Sequence, residues 1–304
     1  MFSFIRNIAI ILMLFFLVDP VAYSLETREK VTELNAGKTT IVFRGDEQVI
    51  TMNGPIDFTQ EGMTFEGNHG RIRCYQNPAT KDFNIKNLEF DGSIRYKDKQ
   101  GYKGTCSFAS YDFDKTEAFL RGNVKIEGAD MLLKGDEITY NSALEKFTAS
   151  KKVYYEGTAR LVPLLVEKNR SDRSPFHVEC DKIVVDRKEG KSHAEGWIKF
   201  VSVGTTIECG EVYIEFQDKD IKSINAFKGV KFTDPEMSAN GESALYDKVN
   251  STLTLQGGPS NRLVEIIYKG QDFSGREVVV NLTDGREITL GEGKAKIKTV
   301  KKKV

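Results

Sequence analysis

One short segment recurs seven times along this chain, and it constrains the fold more than any other feature. Each copy has an apolar residue, a small residue two positions later, two mostly polar residues, and then two apolar residues flanking one other, as in Leu133 to Tyr140 (LKGDEITY). Successive copies lie 29 to 45 residues apart, and repeats of this length are typical of stacked supersecondary units. The small residues are Gly67, Cys106, Gly135, Cys180, Cys209, Gly241 and Gly275.

Apolar and polar residues alternate with a period of two, as in Val212 to Phe216 (VYIEF), which predicts β-strands. Within each copy the first apolar residue and the small residue share one phase, whereas the later apolar pair has the opposite phase. One extra residue at a bulge or corner restores a common face. We therefore predict that the chain bends at the small residue and its polar follower.

The segments between the copies are predicted to supply further strands, several of which start with a glycine, as at Gly122, Gly196 and Gly229. Each repeat then has two or more strands that face each other across a narrow apolar interior. The predicted fold class is all-β: an elongated, open β-jelly-roll or folded β-solenoid of stacked repeats.

The N-terminus has the pattern of an export signal. Arg6 precedes an unbroken apolar run from Ile8 to Val18, which Asp19 and Pro20 end, and small residues follow in Ala22 to Ser24. The run is shorter than the roughly 20 residues that cross a bilayer core. We predict a signal peptide at 1–24, with a short membrane anchor as the alternative, and hence an exported protein. A linker at 25–37, repeats at 38–298 with a polar insertion near 167–174, and a basic tail at 299–304 follow.

Composition and motifs exclude several functions. Lys plus Arg equals Asp plus Glu at 44 each, which argues against nucleic-acid binding. The three His residues have no metal-ligand spacing, and the chain has neither a Gly-rich phosphate loop nor a Gly-x-Ser-x-Gly motif. We predict that the protein is not an enzyme and uses no metal or cofactor.

Three of the four cysteines, Cys106, Cys180 and Cys209, occupy the small position of a repeat. One interpretation is that each is a small core residue in a crowded place. The other is a disulfide between Cys180 and Cys209, because consecutive repeats would place them on neighbouring strands.

Two of the copies resemble the repeat of the periplasmic lipopolysaccharide-transport family LptA/OstA. They are Leu132 to Tyr140 (LLKGDEITY), followed by Phe147 to Ala149, and Met237 to Tyr246 (MSANGESALY), followed by Leu253 to Gly258 (LTLQGG). The resemblance implies a β-jelly-roll shaped like a folded taco and open at both ends. It also implies a role in holding lipid acyl chains between two membranes. Because the chain is longer than a single such domain, both the bridge protein and a membrane-tethered LptC-like relative remain open.

On this interpretation the later apolar pairs line a groove, whereas a plain packed core is the alternative for each residue. A groove for acyl chains needs only a continuous apolar lining, which gains about 25 cal/mol per Å² of buried apolar surface. The predicted lining residues are Ile72, Tyr111, Ile138, Tyr140, Ile183, Val185, Val212, Ile214, Phe216, Ala244, Tyr246, Val278 and Val280.

The predicted partners are lipopolysaccharide or a related lipid, and LptC-like and LptD-like jelly-rolls that add strands at the sheet edges. End-to-end self-association is an alternative, and the predicted location is the periplasm, with an inner-membrane anchor if the signal is retained. The competing hypothesis is an exported structural or adhesive β-solenoid without lipid cargo.

Overall fold

The structure is a computed structural model in which the described residues form β-strands connected by turns. It describes residues 32–60, 63–79, 83–97, 101, 103–128, 131–141, 143–159, 174–186, 188–202, 204–217, 220–247, 249–259, 262–281 and 288–296. The predicted signal peptide, most of the polar insertion and the basic tail lie outside these residues. The all-β prediction is confirmed.

The strands vary from long ones in the first two thirds of the chain to short ones near its C-terminus. In chain order they are β1 (Thr32–Arg44), β2 (Glu47–Gln60), β3 (Met63–Gln76), β4 (Phe83–Lys97), β5 (Lys103–Asp112), β6 (Glu117–Glu127), β7 (Met131–Asn141), β8 (Lys146–Ala159), β9 (Ser174–Asp186), β10 (Lys191–Ser202), β11 (Thr205–Gln217), β12 (Asp220–Thr233), β13 (Met237–Asp247), β14 (Thr252–Gln256), β15 (Val264–Tyr268), β16 (Gln271–Gly275), β17 (Glu277–Asn281), β18 (Ile288–Gly291) and β19 (Lys294–Lys296).

The start of β1 differs from the predicted domain boundary. The sequence placed a linker at 25–37 and the first repeat at 38, whereas β1 begins at Thr32 and pairs with β2 from that residue onwards. The linker boundary was therefore wrong by six residues. The segment 32–37 lacks a recognisable repeat copy, and its strand pairing with β2 is not visible from its own pattern.

The chain divides into two compact units, Met1–Ser150 (unit 1) and Lys151–Val304 (unit 2). In unit 1 the strands β1 to β7 pair in chain order, each antiparallel to the next. In unit 2 the strands β9 to β13 pair in the same way. Strand β13 then pairs with β15 through residues 237–240 and with β14 through residues 243–247. Two short series continue from there, β15–β16–β19 and β14–β17–β18.

A column of register shifts runs through the strands at the predicted corners. In β6, for example, Gly122 and Asn123 lie opposite the single residue Asp136 of β7. Strands β2, β4, β10 and β12 each carry the same two-against-one bulge. Each bulge contains a residue with positive φ, which Gly adopts most easily. The corner lies where the sequence predicted it, but the extra residue belongs to the even-numbered strand.

This bulge corrects one detail of the sequence analysis. Gly122, Gly196 and Gly229 were expected to start strands, whereas each lies in the middle of a long strand, β6, β10 or β12. The glycine permits the left-handed backbone of the bulge, with φ values of 83°, 93° and 78°. The polar-apolar change around these glycines therefore marks a bend within a strand.

The bulges divide the strands of each unit into two halves. Half A contains the residues that follow the corner in the odd-numbered strands and those that precede the bulge in the even-numbered strands. Half B contains the other residues of the strands. In unit 1, Phe90 of half A lies 4.7 Å from Phe65 of half B, measured between ring centroids. In unit 2, Leu255 and Val278 of half A share one buried cluster with Val264 and Ile266 of half B. Within each unit the two halves therefore fold over a common apolar interior.

Candidate functional site

The interior face of half A in unit 1 consists of two rows of residues that are paired from strand to strand. Because side chains alternate between the faces of a strand, residues two apart share a face and form parallel rows. Row 1 is Ile41, Ile50, Ile72, Leu88, Tyr111, Ala118 and Tyr140, and row 2 is Met52, Gly70, Phe90, Ala109, Leu120 and Ile138.

Unit 2 repeats this arrangement with its own two rows. Both rows run from β9 through β10, β11, β12 and β13 to β14, β17 and β18. Row 1 is Val185, Ser192, Ile214, Ile224, Tyr246, Leu253, Val280 and Ile288, and row 2 is Ile183, Ala194, Val212, Ala226, Ala244, Leu255, Val278 and Leu290.

Twelve of the thirteen predicted lining residues therefore occupy these four rows. Ile72, Tyr111, Ile138, Val212, Tyr246, Val278 and Val280 are buried. Tyr140, Ile183, Val185, Ile214 and Ala244 are half-buried. Phe216 belongs to β11, but its side chain lies outside the described residues. The structure brings the predicted residues of each unit to one face of half A.

The residues of the opposite wall of the interior were not predicted from the sequence. Half B contributes Phe65, Tyr96, Gly104, Ile126 and Leu133 in unit 1, and Phe200, Ile207, Phe232, Ala239, Ile266 and Phe273 in unit 2, each paired with the next along the strands. A signal for this wall was present, because the first apolar residue of each repeat copy lies on it. The even-numbered strands β4, β6, β10 and β12, which supply part of the wall, carried no recognised copy.

All four cysteines are free and buried, and the predicted disulfide between Cys180 and Cys209 is not formed. Cys209 pairs with Ile198 of β10, and Cys180 lies on β9, on the other side of β10. Two strand spacings separate the cysteines by roughly 10 Å, which exceeds the Cα separation that a disulfide spans. The error came from treating consecutive copies as neighbouring strands, although the strand predicted at Gly196 lies between them as part of β10. Their burial agrees with the alternative interpretation, in which each cysteine is a small core residue.

The outer face of unit 2 carries a network of charged and aromatic side chains around Glu211. Lys228 Nζ lies 2.8 Å from its carboxylate, Tyr213 donates a hydrogen bond of 2.7 Å, and His193 Nε2 lies at 3.0 Å. These groups, Lys228 foremost, lower the pKa of Glu211 to about 2. The rings of His193 and Tyr213 stack with centroids 4.2 Å apart. This network connects β10, β11 and β12 on the side opposite the interior.

Strand β1 leaves the end of unit 1 open. Within the described part of the chain β1 pairs with β2 alone, so β1 is an edge strand. Ile41 and Phe43 face the interior side, as their pairing with Ile50 and Gln48 shows, and they are 51% and 64% exposed. The apolar row of unit 1 therefore continues to an exposed edge strand.

Neither a metal-binding cluster nor a membrane-spanning helix occurs among the described residues. No group of three or more His, Cys, Asp or Glu side chains there is arranged to hold a metal ion. Within the same residues, no helix has the length and apolar character needed to span a membrane.

Antiparallel strands folded over a continuous apolar interior define the class of this protein, an open β-jelly-roll. Residues 33–146, which cover most of unit 1, match the family model described as LptA/(LptD N-terminal domain) LPS transport protein. This part of the chain is similar to that family, and the resemblance predicted from the repeats is confirmed.

A likeness to a solved structure accompanies this match. It is LptH from Pseudomonas aeruginosa, described as the LptA homologous periplasmic component of the conserved lipopolysaccharide transport device. The sequences are 17% identical over 41% of this chain and 96% of LptH, with a TM-score of 0.36. No curated protein matches the chain.

Proposed function

We propose that the protein is a periplasmic lipopolysaccharide-transport component that holds the acyl chains of its cargo in the apolar interior. The observation that carries this proposal is the continuity of the interior rows. In each unit, apolar residues follow one another from strand to strand, at a spacing of roughly 4.8 Å. The match of residues 33–146 to a lipopolysaccharide-transport family supports the same conclusion.

The physical basis of cargo binding is transfer of methylene groups from water to the interior. Each buried methylene contributes about 0.8 kcal/mol, so a long acyl chain can offset the cost of parting the two halves. The wall needs no special polar residue for this kind of binding.

The bridging role is proposed from the edge of β1. An edge strand with unpaired backbone groups accepts a strand from another protein, and the added sheet extends the first. A jelly-roll partner added at β1 would cover Ile41 and Phe43 and continue the apolar row that they begin. The signal-like residues 1–24 favour the periplasm as the place of this contact.

The proposal is tested by comparing two neighbouring residues that point to opposite faces of β11. Val212 faces the interior and is 9% exposed, whereas Tyr213 faces outward and is 43% exposed. We expect Val212→Asp to abolish binding of fluorescently labelled lipopolysaccharide to the full chain, and Tyr213→Asp to leave it within twofold of the unaltered protein. Circular dichroism checks that both variants fold. Lipid binding by a folded Val212→Asp variant would contradict binding in the interior, and no binding by the unaltered chain would favour the structural solenoid without cargo.

A further inference from the structure

The outer face of half B in unit 1 carries a cluster of basic side chains on strands β4 to β7. These residues alternate along each strand with the interior residues of half B, and they therefore point away from the interior. Cross-strand pairing places them in two neighbouring rows, which we name the basic face: Arg95, Thr105, Lys125 and Lys134 in the first row, and Lys97, Lys103, Glu127 and Leu132 in the second. Five cations and a single carboxylate therefore occupy the described side chains of this face.

Cations of the basic face lie directly opposite one another. Lys97 pairs with Lys103, and Lys125 pairs with Lys134. Like charges in such positions destabilise an antiparallel pair of strands. Glu127 offsets this repulsion only in part, because three lysines act on it: Lys125 Nζ lies 2.6 Å from its Oε1, and its pKa is lowered chiefly by Lys125 and further by Lys103 and Lys134. An arrangement that costs stability indicates a function on this face.

The positive charge is confined to β4 to β7. On β2 and β3 the first row continues with Asp57 and Glu66, and Glu66 Oε2 lies 3.6 Å from Arg95 Nη1 at the boundary. The bordering turns, residues 98–102 and 128–130, add one lysine and two aspartates by sequence, which leaves an excess of cations. Because the whole chain has equal numbers of acidic and basic residues, this excess is a local feature.

The corresponding face of unit 2 has alternating charges instead. Its row, from β9 to β15, is Glu179, Lys199, Glu208, Lys231, Asn240 and Glu265. Each lysine of this row pairs with at least one glutamate, and Lys231 Nζ lies 3.8 Å from Glu208 Oε2. The same position in the sheet is therefore balanced in unit 2 and positive in unit 1.

The composition of the basic face favours a broad anionic surface as its partner. Four of its five cations are lysines, which act as flexible point charges and do not hold one phosphate in a fixed bidentate geometry. None of its described residues is an exposed large apolar side chain, whereas the centre of a protein interface is rich in such residues and poor in lysine. Three strand spacings, roughly 14 Å, separate β4 from β7, so the cations form a patch and not a pocket.

We propose that the basic face binds the surface of a bilayer that contains anionic phospholipids. Each Lys or Arg close to such a surface strengthens binding about fivefold, so several together hold a protein there without any strong single contact. The interior lies on the other side of the same strands, so membrane contact and acyl-chain binding use opposite faces of unit 1. The contact goes beyond the proposed function and does not depend on the cargo.

Cosedimentation of the full chain with lipid vesicles tests this contact. Vesicles of phosphatidylcholine are compared with vesicles that contain about one third phosphatidylglycerol, both without lipopolysaccharide. We expect about tenfold stronger binding to the anionic vesicles, and loss of the difference at high salt, which screens surface charge. Any binding through the apolar residues 8–18 contributes equally to both vesicles. Equal binding to the two vesicles, or none to the anionic ones, would overturn the proposal in favour of an acidic protein partner.

Two pairs of lysines provide matched variants. Lys97→Gln combined with Lys103→Gln removes two exposed cations that face each other on the basic face. Lys199→Gln combined with Lys231→Gln removes two cations from the corresponding row of unit 2. We expect the first double variant to bind anionic vesicles about tenfold more weakly, and the second to bind within about twofold of the unaltered protein. Equal losses in the two double variants would contradict the assignment to the basic face.

Two further measurements on the first double variant separate membrane contact from folding and from cargo binding. Its urea midpoint should be no lower than that of the unaltered protein, because a repulsive pair is removed. Its binding of labelled lipopolysaccharide should be unchanged, because the interior is unaltered. A lower midpoint together with weaker binding to both vesicles and lipopolysaccharide would show that these lysines support the fold, and would overturn their assignment to membrane contact.

Discussion

Gly210 of β11 faces Lys228 of β12, so that here the glycine lies on the odd-numbered strand and the larger residue on the even-numbered strand. In the bulges of β4, β6 and β10 a glycine in the even strand faces a larger residue of the odd strand, which is Asn68, Ser107 and Asp181 respectively. Here Lys228 begins the bulge, with φ of 64°, and the facing residue of β11 is Gly210. A Cβ on Gly210 would lie 2.8 Å from the Cβ of Lys228. This corner has space for a side chain from only one of the two strands.

The first prediction concerns this steric exclusion. We expect Gly210→Ala to lower the free energy of unfolding by about 1–3 kcal/mol, because the added methyl group would overlap the Lys228 side chain. In a background with Lys228→Gly the same substitution should cost much less. Urea denaturation of the two single variants and the double variant measures the coupling. Additive losses would show that the two positions do not compete for space.

The second prediction separates backbone strain from crowding. Gly196 and Gly229 both have positive φ, 93° and 78°, and both belong to bulges of unit 2. A Cβ on Gly196 would overlap the Asp181 side chain, whereas one on Gly229 would meet nothing within 4 Å. Gly229→Ala should therefore cost only the left-handed conformation, about 1–2 kcal/mol, and Gly196→Ala should cost more.

The two glycine variants are compared by urea denaturation followed by circular dichroism. Replacing Asp181 with Gly in the Gly196→Ala protein should bring its loss close to that of Gly229→Ala. Equal losses in the two alanine variants, with no effect of the second substitution, would mean that the Asp181 side chain moves aside and that crowding adds no cost.

The third prediction concerns the buried thiols. Burial raises the pKa of Cys106 and Cys180 to about 12, and that of Cys74 and Cys209 to about 11. Because the thiolate is the reactive form, none of the four should react with a thiol reagent in the folded protein at pH 8. All four should react after denaturation without a reductant. A mass spectrum showing fewer than four modified cysteines would indicate the Cys180–Cys209 disulfide after all.

The fourth prediction concerns acid stability. The pKa of Glu211 is lowered to about 2, chiefly by Lys228 and also by Tyr213 and His193, from an ordinary value of 4.5. The unfolded chain therefore binds a proton at this carboxylate more readily than the folded one. The stability that Glu211 contributes is present above pH 4.5 and is lost as the pH falls towards 2.

Glu211→Gln should consequently flatten the decline in the free energy of unfolding between pH 4.5 and 2. Lys228→Met, which removes the largest contribution to the pKa shift, should flatten it partly. The measurement is urea denaturation at a series of pH values. An unaltered pH dependence in Glu211→Gln would show that the network around this carboxylate does not stabilise the fold.

The sequence predicted the odd-numbered strands β3 to β13 well because each carries a copy of the repeat. A small residue such as Gly135, followed by polar Asp136 and apolar Ile138, changes the phase of the alternation within one strand. That change has a single physical cause, the bend, and so the corner was found at the right place. The same change of phase predicted that the later apolar pair of each copy faces the interior in half A.

The even-numbered strands were harder to predict because their bulges share no single pattern. The pair is Gly54 and Pro55 in β2 but Lys228 and Gly229 in β12, since what matters is the space left by the facing strand. That space depends on a residue about 15 positions away and is not visible locally. The position of β10 between two consecutive copies also explains the wrong disulfide, and the two-way pairing of β13 depends on tertiary packing in the same way.

The cargo itself provides the most direct test of this account. The full chain is purified from the periplasm of a lipopolysaccharide-producing bacterium without detergent, and its lipids are extracted and identified by mass spectrometry. We predict that lipopolysaccharide is recovered with the unaltered protein and is absent from the folded Val212→Asp variant. Recovery of no lipid from the unaltered protein, or equal recovery from both, would contradict the claim that the apolar interior carries the cargo.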